Sequence, residues 1–512
     1  MENKQGPSEV EWKYLPAHSP LPGPVSDNML ATTILPLVKR FRSAFSAPSF
    51  TNFQFLLLAW LMNPNRGWLS NCLRCVLHLP DLAPTNNNNQ LKHFSCLYNF
   101  FTRAVWSKDE LGRLLASSLE RWLPETITLI VDGTLCRRSG PRILGAGIHR
   151  DPLRSTTIGN RATQFSFGLN FVILAVWIPV GFVHSGGIAV PLLFRLYRSK
   201  KTCPPESYRK RTELAAELLR VARSWWPDRR LDVSVDNEYV CKTVLEARDE
   251  QMIVTGALQF RYTLLYPDKP EYSGMGRPPK WGPPMGKIRQ IRDDDTIAWR
   301  EVTVQMYGQQ VTLLVKLVQA RWRSCGADDV VTVLITSDPT GTYDDACFIR
   351  TESDATVQNV LDPVCQRWAV EVTIRDCKQH LNVEQIENGY VHRDEPAHTH
   401  RKTRPGPQAP EDEEPVASKR TTPLFMLGFG VVVRWYLVHG NPQRDLKWTN
   451  IIAPWWRQKT TISFGDMLQA FRRQMECEDL WTNPPQQGFD GKYLRNLPFA
   501  WPQAEILDEL AA

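Results

Sequence analysis

Two short apolar runs, 104 residues apart, each end on an aspartate. Leu129-Ile-Val leads into Asp132-Gly133, and Leu231-Asp-Val-Ser-Val alternates with period two into Asp236. Such runs read as strands, because β-branched and apolar side chains fit a pleated, half-buried surface and Asp-Gly is a turn signal. A helical pattern over Thr212–Trp225 lies between them, and a short helix follows Asp236 before a further strand, Met252–Thr255. Strands alternating with helices in this order predict an α/β core. In such cores the side chains that do chemistry gather at strand exits. Either aspartate alone could merely open a turn.

A third carboxylate strengthens the pattern. Val360–Leu381 has helical character and Asn382 marks its end. Arg367, Glu371 and Lys378 are spaced by four and seven residues and so share one helix face, with Trp368 beside Arg367. Four-residue charge pairs often form a surface ladder. Joined to two strand-end aspartates, however, Glu371 completes a set suited to hard divalent cations, which take oxygen ligands and leave places for water and phosphate. Phosphoryl transfer with two such ions places them about 3.5–4 Å apart. Nearby acids fit less well. Asp232 shares the strand face of Asp236 but sits at the strand's beginning, Glu238 merely neighbours it, and Asp376 lies on another helix face from Glu371. Cys72-Leu-Arg-Cys75, with His78, His93 and Cys96, lacks a second CxxC in a segment that reads as helical and apolar, and is not taken as a zinc site.

The remaining chain divides by periodicity. Residues 1–28 are polar and Pro-rich, read as a flexible N-terminus without a signal peptide. Residues 29–122 read as a helical domain, with Ser107 and Glu110 as a capping box. The core then runs through 123–256. A β-rich insertion follows over 257–345, with a hairpin around Gly308 and a strand at Val330–Ile335. The second part of the core covers 346–460, including a polar, Pro-rich stretch at 391–420 expected to be a disordered loop and a buried helix at Leu424–Val438. Residues 461–512 hold an amphipathic helix and tail, a candidate oligomerisation surface. Phe167–Phe194 contains Pro179, Gly181, His184 and Pro191 and reads as consecutive strands, so no membrane span is expected. The 11 cysteines are scattered and odd in number, which fits reduced thiols in a cytoplasmic protein.

Net charge matters here through its distribution. The chain of 512 residues carries a mild excess of +7. Arg137, Arg138, Arg142, His149, Arg150, Arg154 and Arg161 fall in one stretch, and Arg195, Arg198, Lys200, Lys201, Arg209, Lys210 and Arg211 in another. The C-terminal tail is acidic. A segregated basic surface suits a polyanion.

These residues bring a family into view. Arg367-Trp-Ala-Val-Glu371, followed by Val-Thr-Ile-Arg-Asp-Cys-Lys378, resembles the Tyr-x2-Arg-x3-Glu-x6-Lys signature of DDE transposases of bacterial insertion sequences, the insertion-sequence-four type. Phe101-Thr-Arg-Ala-Val-Trp106-Ser, Pro191-Leu-Leu-Phe-Arg-Leu-Tyr197-Arg and Pro454-Trp-Trp-Arg-Gln-Lys459 share the family's flavour, so the resemblance runs from residue 30 to about 475. It implies an RNase H-like core, a mixed sheet flanked by helices, with a β-rich insertion and a helical N-terminal domain. The 135 residues between Asp236 and Glu371 leave room for that insertion. The implied activity is cut-and-paste transposition: strand cleavage and strand transfer by Asp132, Asp236 and Glu371, with two Mg2+ ions, or Mn2+ in their place. The implied partners are double-stranded DNA, both transposon ends and target, and a second copy of the chain in the DNA complex, within a bacterial cytoplasm at the nucleoid. Arg367 and Lys378 would clamp phosphates, Trp368 would stack on a distorted base, and Arg137, Arg138 and Arg142 would lie on DNA. One position departs: the signature's Tyr falls on Val364, which has no hydroxyl. A domesticated nuclease or recombinase of this fold, and a non-catalytic DNA-binding remnant, are the alternative readings.

Overall fold

Strand β1 (Ile127–Arg137) is buried on both faces over its first half, since Ile127, Leu129, Ile130 and Val131 are all inaccessible. That requires cover above and below, which explains the unbroken apolar run. In the computed structural model, residues 33–64, 67–74, 92–139, 143–151, 154, 164–201, 203–261, 263–267, 272, 274, 277, 280–386, 415–452 and 459–482 are described. The N-terminal segment 1–28, most of the stretch expected to be a disordered loop, and Arg142, Arg161, Cys75 and His78 lie outside them.

After β1 come β2 (Gly147–Arg150), β3 (Phe165–Pro179), β4 (Gly187–Tyr197), β5 (Leu231–Val235) and β6 (Met252–Ala257). Then follow β7 (Leu264–Tyr266), β8 (Gly286–Lys287), β9 (Arg300–Met306), β10 (Gln309–Trp322), β11 (Val330–Ser337) and β12 (Ala346–Arg350). Among the described residues they form a single sheet whose main path is β2-β3-β1-β5-β6-β12-β11-β10-β7-β8, with β4 on β3 and β9 on β10. Only β1, β5 and β6 pair in parallel; the other pairings are antiparallel. The β-rich segment therefore extends the core sheet, joining it through β12 against β6. The hairpin expected around Gly308 is β9–β10, and both turn residues, Tyr307 and Gly308, have positive φ (50° and 79°), as a tight two-residue turn needs.

The helices are α1 (Leu35–Lys39), α2 (Ala47–Met62), α3 (Leu69–Arg74), α4 (Ser95–Thr102), α5 (Lys108–Leu119), α6 (Arg211–Trp225), α7 (Lys242–Leu245), α8 (Ile288–Asp293), α9 (Val357–His380), α10 (Val416–His439), α11 (Pro442–Ile452) and α12 (Phe464–Thr482). A mixed sheet flanked by helices, with a helical N-terminal region, is the architecture the resemblance implies. One apolar core runs from Phe41 and Phe53 through β1, β3 and β4 to Phe429 and Phe471, so the N-terminal helices share it with the sheet. Helix α10 is apolar and long enough to cross a membrane, yet it is largely buried within the protein against β4, α5 and α12.

Three local readings need correction. The stretch expected to be disordered to residue 420 already turns helical at Val416. Its polar residues misled because they bond backbone carbonyls: Ser418 Oγ donates to Leu144 O (2.7 Å), and the Arg420 guanidinium to Ala104 O (2.8 Å). Strand β1 does not stop at Asp132-Gly133 but stays paired with β3 through Arg137. What ends there is its pairing with β5, at Val131–Val235. The capping box is half formed: Ser107 Oγ accepts from the Glu110 amide, while the Glu110 carboxylate turns to Arg113 (2.7 Å).

Candidate active site

Asp132 and Asp236 each follow the last pair of a parallel ladder, Val131–Val235, and so lie side by side on adjacent strands. Glu371 comes from α9, which packs across β4, β3, β1 and β5. Helix α9 is fixed from several sides. Thr356 caps it by accepting from the Asn359 amide (3.2 Å), Ser234 Oγ on β5 donates to Pro363 O (2.7 Å), and Thr373 Oγ1 donates to Ala189 O on β4 (2.7 Å). Asn382, just past its end, adopts φ 51°, as its reading as the helix stop requires.

Two of the carboxylates, those of Asp132 and Glu371, meet around one cation. Arg367 Nη1 lies 2.9 Å from Glu371 Oε1 and 3.3 Å from Asp132 Oδ2. Asp132 Oδ1 accepts the Gly133 amide at 2.6 Å. Burial pushes the Asp132 carboxyl up to about 7 against the pull of Arg367 and Gly133, and the charges of Glu371 and Asp236 push the same way. The Asp132 carboxyl thus feels both other acids, and of the two only Glu371 shares its cation at hydrogen-bond distance. Among the described residues no group of three or more Asp, Glu, His or Cys is gathered tightly enough to cage an ion by itself; a guanidinium stands between the acids instead. Their chemistry still fits a hard divalent cation: the donors are carboxylate oxygens, and burial penalises the bare charge of Asp132, which a cation relieves.

Trp368 is 47% exposed, with the Arg367 guanidinium 5.6 Å from its ring centre. The β9–β10 turn brings Tyr307 against α9, where its ring packs on the cluster that includes Val360 and Leu361. Tyr307 carried no signal in the sequence beyond its place beside Gly308. Another unforeseen residue is Tyr239, three positions after Asp236. It is buried, its hydroxyl has no hydrogen-bond partner among the described residues, and a Cβ at Gly133 would sit 3.2 Å from it.

Several expected DNA contacts are turned inward. Lys378 Nζ donates to Leu135 O (2.8 Å) and pairs with Glu384 (3.5 Å), so it fastens α9 to β1. Arg137 binds Asp151 through two nitrogens (2.7 and 3.1 Å). Arg138 is buried and donates to Thr422 Oγ1 on α10 (2.9 Å), a structural cation rather than a surface one. His149 is buried as well, which holds its imidazole down to about 4. In the second basic stretch Arg195 pairs with Asp109 and Glu217, while Lys200, Lys201, Arg209 and Lys210 are exposed. Arg211 brings this stretch to the site's rim through Glu238 (2.8 Å). Of the acids set aside, Asp232 is buried against Arg350 (2.8 Å), and Asp376 is buried beside Arg375.

A family model described as DDE superfamily endonuclease matches residues 41–323, a stretch that contains Asp132 and Asp236 and ends before Glu371. No curated protein matches the chain. Since the matched stretch is more than half of the sequence and spans the parallel strands that bring the two aspartates together, the chain belongs to the DDE superfamily endonucleases, whose members use divalent metal ions.

Proposed function

We propose that this endonuclease is a transposase that binds the terminal inverted repeats of its own element and carries out strand cleavage and strand transfer. The observation that supports the reading is the Arg367 guanidinium bridging Asp132 and Glu371, with Asp236 following the strand paired beside that of Asp132. Asp132, Asp236 and Glu371 would hold the divalent ions, Mg2+ or Mn2+, two per site. Bound there, such ions neutralise charge on a phosphate in transfer and polarise its oxygens. The protein's own part is positioning and electrostatics. Arg367 offers a guanidinium fork at the acids, suited to a phosphate. Trp368 offers an exposed ring on which an unstacked base can lie. Behind them Lys378 braces α9 on β1, Arg137 ties the end of β1 to Asp151, and Arg138 ties it to α10.

End recognition is assigned to the helical region over 29–122; two copies would be needed to hold two DNA ends, and they would meet through a surface other than the apolar face of α12, whose Phe464, Met467, Leu468 and Phe471 are buried in this chain's own core. Glu371→Gln tests the reading: it keeps the side chain's size and removes a charge. Cleavage of the element's own ends should fall by orders of magnitude, since phosphoryl transfer depends on charge neutralisation and positioning. Binding of the ends, read by gel shift, should persist. Asp376→Asn, on a buried face of the same helix, should cleave once its folding is verified. Parent-like cleavage by Glu371→Gln would refute the assignment. A parent that cleaves DNA but ignores the terminal repeats would favour the domesticated nuclease.

A further inference from the structure

Arg367 sits where the acids converge rather than out in solvent. Its side chain is 17% exposed, its Nη1 bridges Glu371 and Asp132, and it also feels the charge of Asp236. A guanidinium held at hydrogen-bond distance from two carboxylates supplies their counter-charge. A divalent ion drawn to the same oxygens meets that fixed charge as a repulsion, which is strong where water is scarce. The two cations therefore compete for Asp132 and Glu371. While it sits on the acids the guanidinium carbon already lies 5.6 Å from the centre of the half-exposed Trp368 ring, so an aromatic face that attracts cations stays within reach when it leaves them.

We propose that Arg367 is an internal counter-ion that holds the carboxylates together in the metal-free chain and is displaced from them when a divalent ion binds. Loading the site then moves the guanidinium from acid to solvent side, where it can meet phosphate. The inference rests on the reading of Asp132, Asp236 and Glu371 as metal ligands, and its test separates the two.

Mn2+ binding to the full chain without DNA is measured by calorimetry and by loss of the free-ion paramagnetic signal. Four proteins are compared: the parent, Arg367→Gln, Glu371→Gln and the double variant. Arg367→Gln should bind Mn2+ about tenfold more tightly than the parent, the effect of removing one opposing charge at a partly buried site. Its metal-free Tm should fall, and Mn2+ should raise that Tm more than it raises the parent's. The double variant should lose the gained affinity. Equal or weaker Mn2+ binding by Arg367→Gln overturns the counter-ion proposal; if Glu371→Gln still weakens binding, the metal-site reading survives. Binding that ignores Glu371→Gln in both backgrounds removes the metal-site reading and the proposal with it. If Arg367→Gln does not fold, Arg367→Lys, which keeps the charge but loses the fork, should bind a few-fold more tightly than the parent, and parity overturns the proposal.

Discussion

Gly133 follows the first aspartate and has no side chain for a local reason. The Tyr239 hydroxyl lies 3.2 Å from where its Cβ would be, closer than side chains normally pack. That hydroxyl is itself buried with no hydrogen-bond partner among the described residues. A buried, unpaired polar group is destabilising, and removing it while keeping the ring relieves the penalty. Tyr239→Phe should therefore raise stability by about 1 kcal/mol, read as a small rise in Tm. Gly133→Ala should destabilise the parent and do so less in the Tyr239→Phe background. Purely additive effects would show that the hydroxyl does not set the space at Gly133. At this scale the sequence was partly legible. Asp132, Asp236 and Glu371 stood out because strand ends and a shared helix face are short-range patterns. Tyr239, Tyr307, Ser234 and Glu384 did not, because their partners lie far off in the chain. Arg137 and Arg138 look alike in the sequence, yet Arg137 ends β1 paired with Asp151, and Arg138, one residue beyond the strand, is buried against Thr422.

Helix α9 carries the site, and its attachments decide how precisely Glu371 faces the aspartates. Lys378 is one of them: its ammonium joins Leu135 O on β1 and the Glu384 carboxylate, which also accepts the Arg137 amide (3.1 Å). Lys378→Met keeps the stem and removes those bonds. The Leu135 carbonyl and Glu384 would be left short of a donor, so stability should fall by about 1–3 kcal/mol. Cleavage should fall with it as Glu371 loses its placement. Salt dependence of DNA binding should not change, because the ammonium faces the protein. A shallower salt slope would restore Lys378 to the DNA surface. The element pattern explains what was readable here. Period-two and helical repeats gave β5, β9–β10, α9 and α10 their places. The start of α10 was missed because Ser418 and Arg420 look solvated by composition while their polar atoms are satisfied by backbone carbonyls. The true extent of β1 was missed because Asp-Gly, a turn signal elsewhere, here marks only the point where β5 departs.

Across the whole molecule, charge and core are arranged on different plans. The apolar core is continuous from the N-terminal helices through the sheet to α12, so distant segments depend on one another for burial. The basic residues split into two classes that sequence could not separate. Arg138 and Arg195 are inner cations with protein partners, whereas Lys200, Lys201, Arg209 and Lys210 are exposed around the start of α6. Cations at a helix start gain nothing from its dipole; Arg209 donates instead to Glu206 O and Tyr208 O, and Lys200 lies over the Tyr208 ring. Through Arg211 and Glu238 this exposed group adjoins Asp236, and on the proposed function it would take the DNA backbone. Each phosphate deprived of its cation should lower the slope of log K against log salt by about 0.9. Lys200→Ala with Arg209→Ala should flatten the slope by up to about 1.8, with Tm unchanged. Arg138→Ala should show the reverse, a lower Tm with the slope intact, because it leaves a buried hydroxyl and carbonyl unpaired. Both quantities come from binding isotherms at several salt concentrations and from thermal melts of the same preparations. An unchanged slope in the double variant would place the DNA path elsewhere on the sheet. A flattened slope in Arg138→Ala would mean that this side chain leaves Thr422 to meet the DNA.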